Sequence, residues 1–236
     1  MKCFVNNYVD ERLAVEYSLG ASPCVLLLHG FTAYKNFGVI NSLYSVLAKQ
    51  ERLVARMDFS GNGESEGLFG ESTFSKQSRE VVDVMNYLSH ECSVQEFILV
   101  GHSMGGSVAL LASSDVRVRA VVCLAAASRP ALDAARRRDR FFAGNELSVP
   151  HVKGVSLPAR KYVVSEDWLL DGASVDVLGA VPSDKPVVAF HGREDSLVSL
   201  SDSEELAKRG AELIVLETDH FFVGCEQAIT QRVLEL

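Results

Sequence analysis

Hydrophobic and polar residues alternate along the chain in two kinds of segment. Six short, almost continuously apolar runs predict buried strands, at residues 24–30, 53–59, 96–101, 119–127, 185–192 and 211–217. Helical patterns lie near residues 36–50, 74–90, 104–114, 200–209 and 224–235. Residues 4–17 alternate around two polar pairs and predict an initial antiparallel hairpin. The pattern predicts an α/β protein with a mostly parallel central sheet and helices on both faces.

One long interval breaks this alternation. Residues 128–184 contain four prolines and Trp168, the only tryptophan, and they show no clean strand–helix unit. An insertion of this length is more often a lid or a binding subdomain than a plain loop. Because 236 residues with 47% hydrophobic content suit one large domain, we predict a single domain over residues 1–236, with a small lid insertion at about 128–184.

Net charge and cysteine content indicate which partners and which cellular compartment to expect. The net charge of −8 argues against a general nucleic-acid surface and against binding to anionic membranes, which leaves small molecules as the expected partners. The N-terminus lacks an apolar stretch of signal-peptide length, and the longest apolar run, residues 120–127, is too short to cross a bilayer. The cysteines are odd in number and lack C-x-x-C spacing, so we expect reduced thiols in a cytoplasmic protein.

A serine lies between the third apolar run, at residues 96–101, and the helical pattern at residues 104–114. The stretch FILVGHSMGG runs an apolar strand into Ser103 and then into a packed helix. The flanking glycines permit a sharp turn, which would hold the hydroxyl at the carboxyl edge of the sheet, beside the free N–H groups of the helix start. The position predicts a nucleophile, provided that other parts of the chain supply a base, an acid and a second oxyanion donor.

Four separate stretches, in order, carry a resemblance to a known family. CVLLLHGF (24–31), MDFSGNGESEG (57–67), GHSMGG (101–106) and the late pair HGREDSLV and TDHFF resemble the motifs of the α/β-hydrolases. The resemblance implies the α/β-hydrolase fold. Within that family, DFSGNGESEG followed by STFSKQ is similar to the esterases that include the cinnamoyl and feruloyl esterases.

The choice of base and acid follows from the strand pattern and agrees with the resemblance. A serine hydroxyl needs a base, and His suits that work at neutral pH. Of the six histidines, His220 alone follows a late strand, so its loop emerges at the same edge as Ser103. Asp195 follows another late strand and is the expected acid that orients His220, with Glu194 as its competitor.

For the developing oxyanion, the resemblance implies that the backbone N–H groups of Phe31 and Met104 are the hydrogen-bond donors.

We therefore expect a serine hydrolase that cleaves carboxylic esters, with small acyl or aromatic groups, through an acyl-enzyme. We expect it to need neither a metal nor an organic cofactor. The same triad also suits amides, peptides, thioesters and carbon–carbon bonds. A ligand-binding receptor with slow turnover is a further alternative.

The large apolar side chains of the insertion are candidates for substrate binding. Trp168, Phe141 and Phe142 lie within residues 128–184. Such residues commonly line a pocket for an acyl or aromatic group, and they also commonly form the core of a lid. Both interpretations are open at this stage.

Overall fold

A computed structural model describes residues 1–130 and 162–236 of the chain, together with the backbone of two short strands at 142–143 and 146–147. Its strands are β1 (Lys2–Asn6), β2 (Arg12–Ser18), β3 (Ala21–Leu28), β4 (Arg52–Met57), β5 (Phe97–His102), β6 (Val118–Leu124), β7 (Phe142–Ala143), β8 (Glu146–Leu147), β9 (Val187–Gly192) and β10 (Glu212–Leu216). Its described helices are α1 (Gly38–Lys49), α2 (Phe74–Cys92), α3 (Met104–Ala112), α4 (Glu166–Ser174), α5 (Leu200–Lys208) and α6 (Glu226–Leu234), and a 3₁₀ turn spans Phe69–Glu71.

Eight strands form one sheet, in the order β1-β2-β4-β3-β5-β6-β9-β10. The pairs β1–β2 and β2–β4 are antiparallel, and every other neighbouring pair is parallel. The strands β5, β9 and β10 therefore end at the same edge, and the loops that follow them emerge close together. The sheet confirms the predicted mostly parallel α/β architecture.

The sheet is buried on both faces, which explains why its strands are apolar throughout. In β3, Cys24, Leu26 and Leu28 pack on the face covered by α2 and α3, whereas Val25 and Leu27 pack on the face covered by α1 and α6. Alternate residues of a strand point to opposite faces, so two covered faces require a continuous apolar run. Each predicted strand and helix is present, with ends shifted by up to three residues.

Within the predicted insertion, residues 162–184 contain α4. Ser165 caps this helix by accepting a hydrogen bond from the backbone N–H of Trp168, and two acidic residues occupy its first turn. Phe141 lies outside the described residues, and Phe142 belongs to β7, of which only the backbone is described. The extent of the lid stays a prediction.

Helices that are both long enough and apolar enough to cross a membrane are absent from the described part of the chain.

Candidate active site

Ser103 lies at the tip of a sharp turn between β5 and α3. Its backbone adopts φ 54° and ψ −120°, a conformation that a residue with a Cβ rarely takes, and only 8% of the residue is exposed. The Ser103 N–H donates to the carbonyl oxygen of Leu124 at the end of β6, with a distance of 2.8 Å. Such strain costs on the order of 1–3 kcal/mol and is typical of functional turns, where the surrounding structure holds it in place.

The turn depends on close backbone approaches at two glycines. A Cβ on Gly105 would lie 2.5 Å from the carbonyl oxygens of Leu28 and His29. A Cβ on Gly30 would lie 3.1 Å from the Cβ of Ser103. The loop after β3 is therefore packed directly against the serine.

The two predicted oxyanion residues lie on either side of Ser103, Phe31 in the loop after β3 and Met104 at the start of α3. Within residues 1–130 and 162–236, the backbone N–H groups of Phe31 and Met104 donate no hydrogen bond. The neighbouring Thr32 adopts φ 59°, and its hydroxyl donates to the Phe31 carbonyl oxygen at 2.7 Å. In the described part of the chain, two N–H groups without an acceptor thus flank Ser103, one from the loop and one from the start of α3.

The His29 side chain holds the start of this loop, and its two contacts require a single tautomer of the ring. Its Nδ1–H donates to the Gly30 carbonyl oxygen at 2.8 Å, and its Nε2 accepts from the Phe59 N–H at 3.1 Å. Complete burial lowers the pKa of His29, although Asp58 acts in the opposite direction. A neutral His29 satisfies both contacts, so we assign it a structural role in this loop.

Asp195 and His220 are in direct contact at the carboxyl edge of the sheet. Asp195 Oδ2 lies 2.7 Å from His220 Nδ1, and Asp195 Oδ1 accepts the N–H groups of Leu197 and Val198 at 2.7 and 2.9 Å. Burial alone would raise the pKa of Asp195, but His220 and the two N–H groups outweigh it and lower that pKa below its ordinary value. The neighbouring Glu194 is exposed to solvent.

His102, next to the serine, supports the loop that carries His220. Its Nε2–H donates to the His220 backbone carbonyl oxygen at 2.8 Å, and the two rings lie 4.8 Å apart. Burial, reinforced by the neighbouring His220, lowers the pKa of His102 to about 3, so the ring is neutral near pH 7. The sequence places His102 beside Ser103 but gives no signal for the contact of His102 with His220.

Among the described residues, Ser103 and the His220 ring share no hydrogen bond.

His191 supports the Asp195 loop from below. Its Nε2–H donates to the Val198 carbonyl oxygen at 3.2 Å, and its Nδ1 accepts from the Ser203 hydroxyl at 2.8 Å. Burial lowers the pKa of His191, although Asp195, 3.7 Å away, favours the charged form. Both ring nitrogens form hydrogen bonds with these neighbours, so neither is available to act as the base.

A buried ion pair supports the loop after β4. Lys35 Nζ contacts Asp58 Oδ2 at 2.6 Å, and their side chains are 2% and 0% exposed. Lys35 Nζ also contacts the Glu64 carboxylate, and Asp58 accepts the backbone N–H groups of Lys35 and Glu64 at 2.6 and 2.9 Å. Sequence reasoning found the glycine-rich stretch that contains Asp58 but missed Lys35, since a single lysine in a loop carries no pattern.

Trp168 is buried against the loop of Phe31. Its indole Nε1–H donates to the Ser72 carbonyl oxygen at 3.0 Å, and its ring centroid lies 5.1 Å from that of Phe31. Contact of Trp168, Phe141 or Phe142 with a substrate stays a prediction.

The described residues contain no group of three or more His, Cys, Asp or Glu side chains arranged to hold a metal ion.

The chain is similar to known hydrolases in sequence. The family model Hydrolase_4, described as serine aminopeptidase, S33, matches residues 21–160, more than half of the 236 residues. The human mitochondrial palmitoyl-protein thioesterase ABHD10 is 26% identical over 223 residues, which cover 92% of this chain and 69% of that protein. The uncharacterised protein YfhR of Salmonella typhimurium is 25% identical over 188 residues, which cover 79% of this chain and 59% of YfhR.

Solved structures share the fold at lower identity. Est1E from Butyrivibrio proteoclasticus, solved with bound ferulic acid, has a TM-score of 0.81 and 21% identity, covering 99% of this chain and 96% of its own. Mouse ABHD10 has a TM-score of 0.79 and 20% identity, covering 100% and 97%. The Pyrococcus furiosus esterase Pf2001 has a TM-score of 0.74 and 20% identity, covering 100% and 90%. The chain therefore belongs to the Hydrolase_4 family and is a hydrolase with the α/β-hydrolase fold.

Proposed function

We propose that this hydrolase cleaves carboxylic esters through an acyl-enzyme, with Ser103 as nucleophile, His220 as base and Asp195 as the acid that orients His220. The observation that carries the proposal is the 2.7 Å contact of Asp195 with His220, at the edge of the sheet where the strained turn presents Ser103. The contact leaves His220 Nε2 available to take the serine proton. The chain order serine, aspartate, histidine is the order of this fold.

The chemistry then proceeds in two halves. Ser103 Oγ attacks the ester carbonyl carbon while His220 takes the hydroxyl proton, and the tetrahedral intermediate collapses as His220 returns that proton to the leaving alcohol. Water then attacks the acyl-enzyme as His220 takes its proton, and the second tetrahedral intermediate collapses as His220 returns that proton to Ser103 Oγ, which releases the carboxylic acid. The ionised Asp195 stabilises the imidazolium in both halves.

The oxyanion of each intermediate would accept hydrogen bonds from Phe31 and Met104. Both N–H groups lack another acceptor in the described part of the chain, and the Phe31 loop is packed against Ser103. Each such donor is worth about 3 kcal/mol of transition-state stabilisation. This fits ester hydrolysis without a metal or an organic cofactor.

The similar proteins support an ester substrate, including an aromatic one, and one specific alternative. Pf2001 is an esterase, and Est1E was solved with bound ferulic acid. ABHD10, whose match covers 92% of this chain, is a thioesterase that acts on palmitoyl-proteins. A thioester is attacked by the same serine through the same intermediate, so thioester cleavage is the second candidate function.

A substrate panel compared between two variants tests the proposal. The panel contains p-nitrophenyl esters of increasing acyl length, methyl hydroxycinnamates, acyl thioesters and aminoacyl anilides. We expect the highest kcat/KM on the oxygen esters, and a loss of at least about a hundredfold in Ser103→Ala. Ser114→Ala, an exposed serine just beyond α3, is the matched control and should retain full activity. A preference for thioesters would favour the second candidate, and turnover that survives Ser103→Ala would contradict the proposed nucleophile.

The slow-turnover receptor predicts a different time course. A receptor would release one equivalent of alcohol per chain and then stall, whereas an esterase continues to turn over after any burst. Stopped-flow release of p-nitrophenol therefore separates the two, and a stall after one equivalent would contradict the esterase.

A further inference from the structure

The side chain of Phe31 is held between two rings from distant parts of the chain. The Phe69 ring, in the 3₁₀ turn, lies 5.2 Å from the Phe31 ring, and the Trp168 ring, in α4, lies 5.1 Å from it. Aromatic pairs at these separations are attractive beyond their burial. Phe31 itself lies in the turn after β3, and these two rings hold its side chain against the 3₁₀ turn and α4.

Both flanking rings are themselves fixed. Trp168 is 6% exposed, its indole N–H donates to Ser72, and its ring lies 5.5 Å from Phe74 of α2. The segment before α4 is tied to the 3₁₀ turn, because the Ser165 hydroxyl donates to the Gly70 carbonyl oxygen. Trp168 and Phe69 therefore belong to one set of contacts between α4, α2 and the turn.

The backbone next to Phe31 needs such support. Thr32 adopts φ 59°, which is unfavourable for a β-branched residue, so local preferences alone would turn this peptide differently. The Thr32 hydroxyl donates to the Phe31 carbonyl oxygen and provides one local restraint. The rings on Phe31 provide a further restraint.

We propose that Trp168 and Phe69 clamp the Phe31 ring and thereby hold the Phe31 backbone N–H in place as an oxyanion donor. Trp168 is then a positioning residue, which acts through Phe31 without touching the reacting atoms. The inference rests on the proposed function, in which Phe31 serves the oxyanion. It assigns a part of the predicted lid to transition-state stabilisation, in addition to any contact with substrate.

A donor that serves the oxyanion affects the transition state more than the bound ester. We expect Trp168→Leu and Phe69→Leu each to lower kcat on p-nitrophenyl acetate by at least about tenfold, with KM changed by less than about twofold. Affinity for a trifluoromethyl ketone, which forms a tetrahedral oxyanion adduct with the serine, should fall by the same factor as kcat/KM. The pH midpoint of kcat/KM should stay unchanged, because the triad is intact.

Two further variants keep the test decisive. Leu170→Ala changes a residue of α4 that is 60% exposed, and it should leave kcat and the ketone affinity unchanged. Phe31→Ala retains the peptide N–H and removes the ring, so it should reproduce the loss in kcat even if Trp168→Leu does not fold. Normal kcat in Phe31→Ala, or a Trp168→Leu effect confined to KM, would overturn the clamp.

The outcome for the wild-type chain separates this inference from the proposed function. If the wild-type chain hydrolyses the ester in a Ser103-dependent manner while Phe31→Ala and Phe69→Leu remain fully active, the clamp alone is wrong. If the wild-type chain shows no Ser103-dependent hydrolysis, the proposed function fails and the clamp fails with it.

Discussion

Asp195 divides its two carboxylate oxygens between two tasks. Oδ1 accepts two backbone N–H groups of its own loop, which fixes the carboxylate, and Oδ2 faces His220. Because these contacts lower the pKa of Asp195 despite its burial, the carboxylate stays ionised well below neutral pH. An ionised group at this position selects the His220 tautomer with the proton on Nδ1.

At this residue scale we expect Asp195→Asn to lower kcat by at least about a thousandfold, because an amide both loses the charge and permits the wrong tautomer. Glu194→Gln, the matched control on an exposed neighbour, should change kcat by less than about threefold. Steady-state kinetics on one ester measures both. If Glu194→Gln proves the more damaging change, the acid lies one residue earlier than proposed.

The candidate residues of the site could be predicted from the sequence only where a motif or a position along the chain marked them. Ser103, Asp195 and His220 each follow a strand that ends at one edge of the sheet. The apolar runs show where these strands lie along the chain. Lys35 and the His102 contact with His220 could not be predicted, because each depends on a partner that sequence spacing does not specify.

At the scale of elements, the loop after β4 depends on the Lys35–Asp58 ion pair. Its side chains are almost fully buried, so removing the lysine leaves the Asp58 carboxylate without a counter-charge. We expect Lys35→Met to lower the free energy of unfolding by about 3–5 kcal/mol. Urea denaturation followed by circular dichroism measures this change.

The matched control for this prediction is a lysine on the surface. Lys208 is 69% exposed and pairs with Glu205, so Lys208→Met should leave the urea midpoint almost unchanged. Equal midpoints for Lys35→Met and Lys208→Met would show that the buried pair does not hold the loop.

The elements could be predicted in kind more reliably than at their ends. The apolar run that predicts a strand over 119–127 continues beyond β6, which ends at Leu124 because Ala125 adopts φ 51°. Similarly, β3 ends at Leu28, before the turn of His29 and Gly30. A left-handed backbone at an alanine leaves no trace in hydrophobic periodicity.

At the scale of the whole molecule, three buried neutral histidines make the fold sensitive to acid. Burial lowers the pKa values of His29, His102 and His191. An unfolded histidine has a pKa near 6.5, whereas that of His102 in the fold is about 3. As pH falls from about 6.5, the unfolded state binds a proton that folded His102 does not, so stability is lost progressively towards pH 3.

We therefore expect His102→Gln to flatten the loss of stability between pH 7 and pH 5. Gln can still donate to the His220 carbonyl oxygen, and it removes up to about 1.4 kcal/mol per pH unit from the slope. The free energy of unfolding, measured in urea at each pH, gives the slope. His90→Gln, at an exposed histidine of α2, is the control, and a slope in His102→Gln equal to that of wild type would contradict the assignment of neutral His102.

The packing of distant segments set the limit of prediction at this scale. Phe31, Phe69 and Trp168 come together from a loop, a 3₁₀ turn and α4, which are separated by many residues. The sequence marks Trp168 as a large apolar side chain in an insertion, but the contact with the Phe31 loop is a property of the assembled fold.

The central claim is that turnover passes through an acyl group on Ser103. Rapid acid quench during turnover of p-nitrophenyl acetate, followed by mass spectrometry of the digested chain, tests it most directly. We predict one acetyl group on the peptide that contains Ser103, formed before steady state and lost at the rate of turnover once substrate is removed. Continued turnover without that acetyl group, or an acetyl group that forms and decays on another residue, would contradict the account.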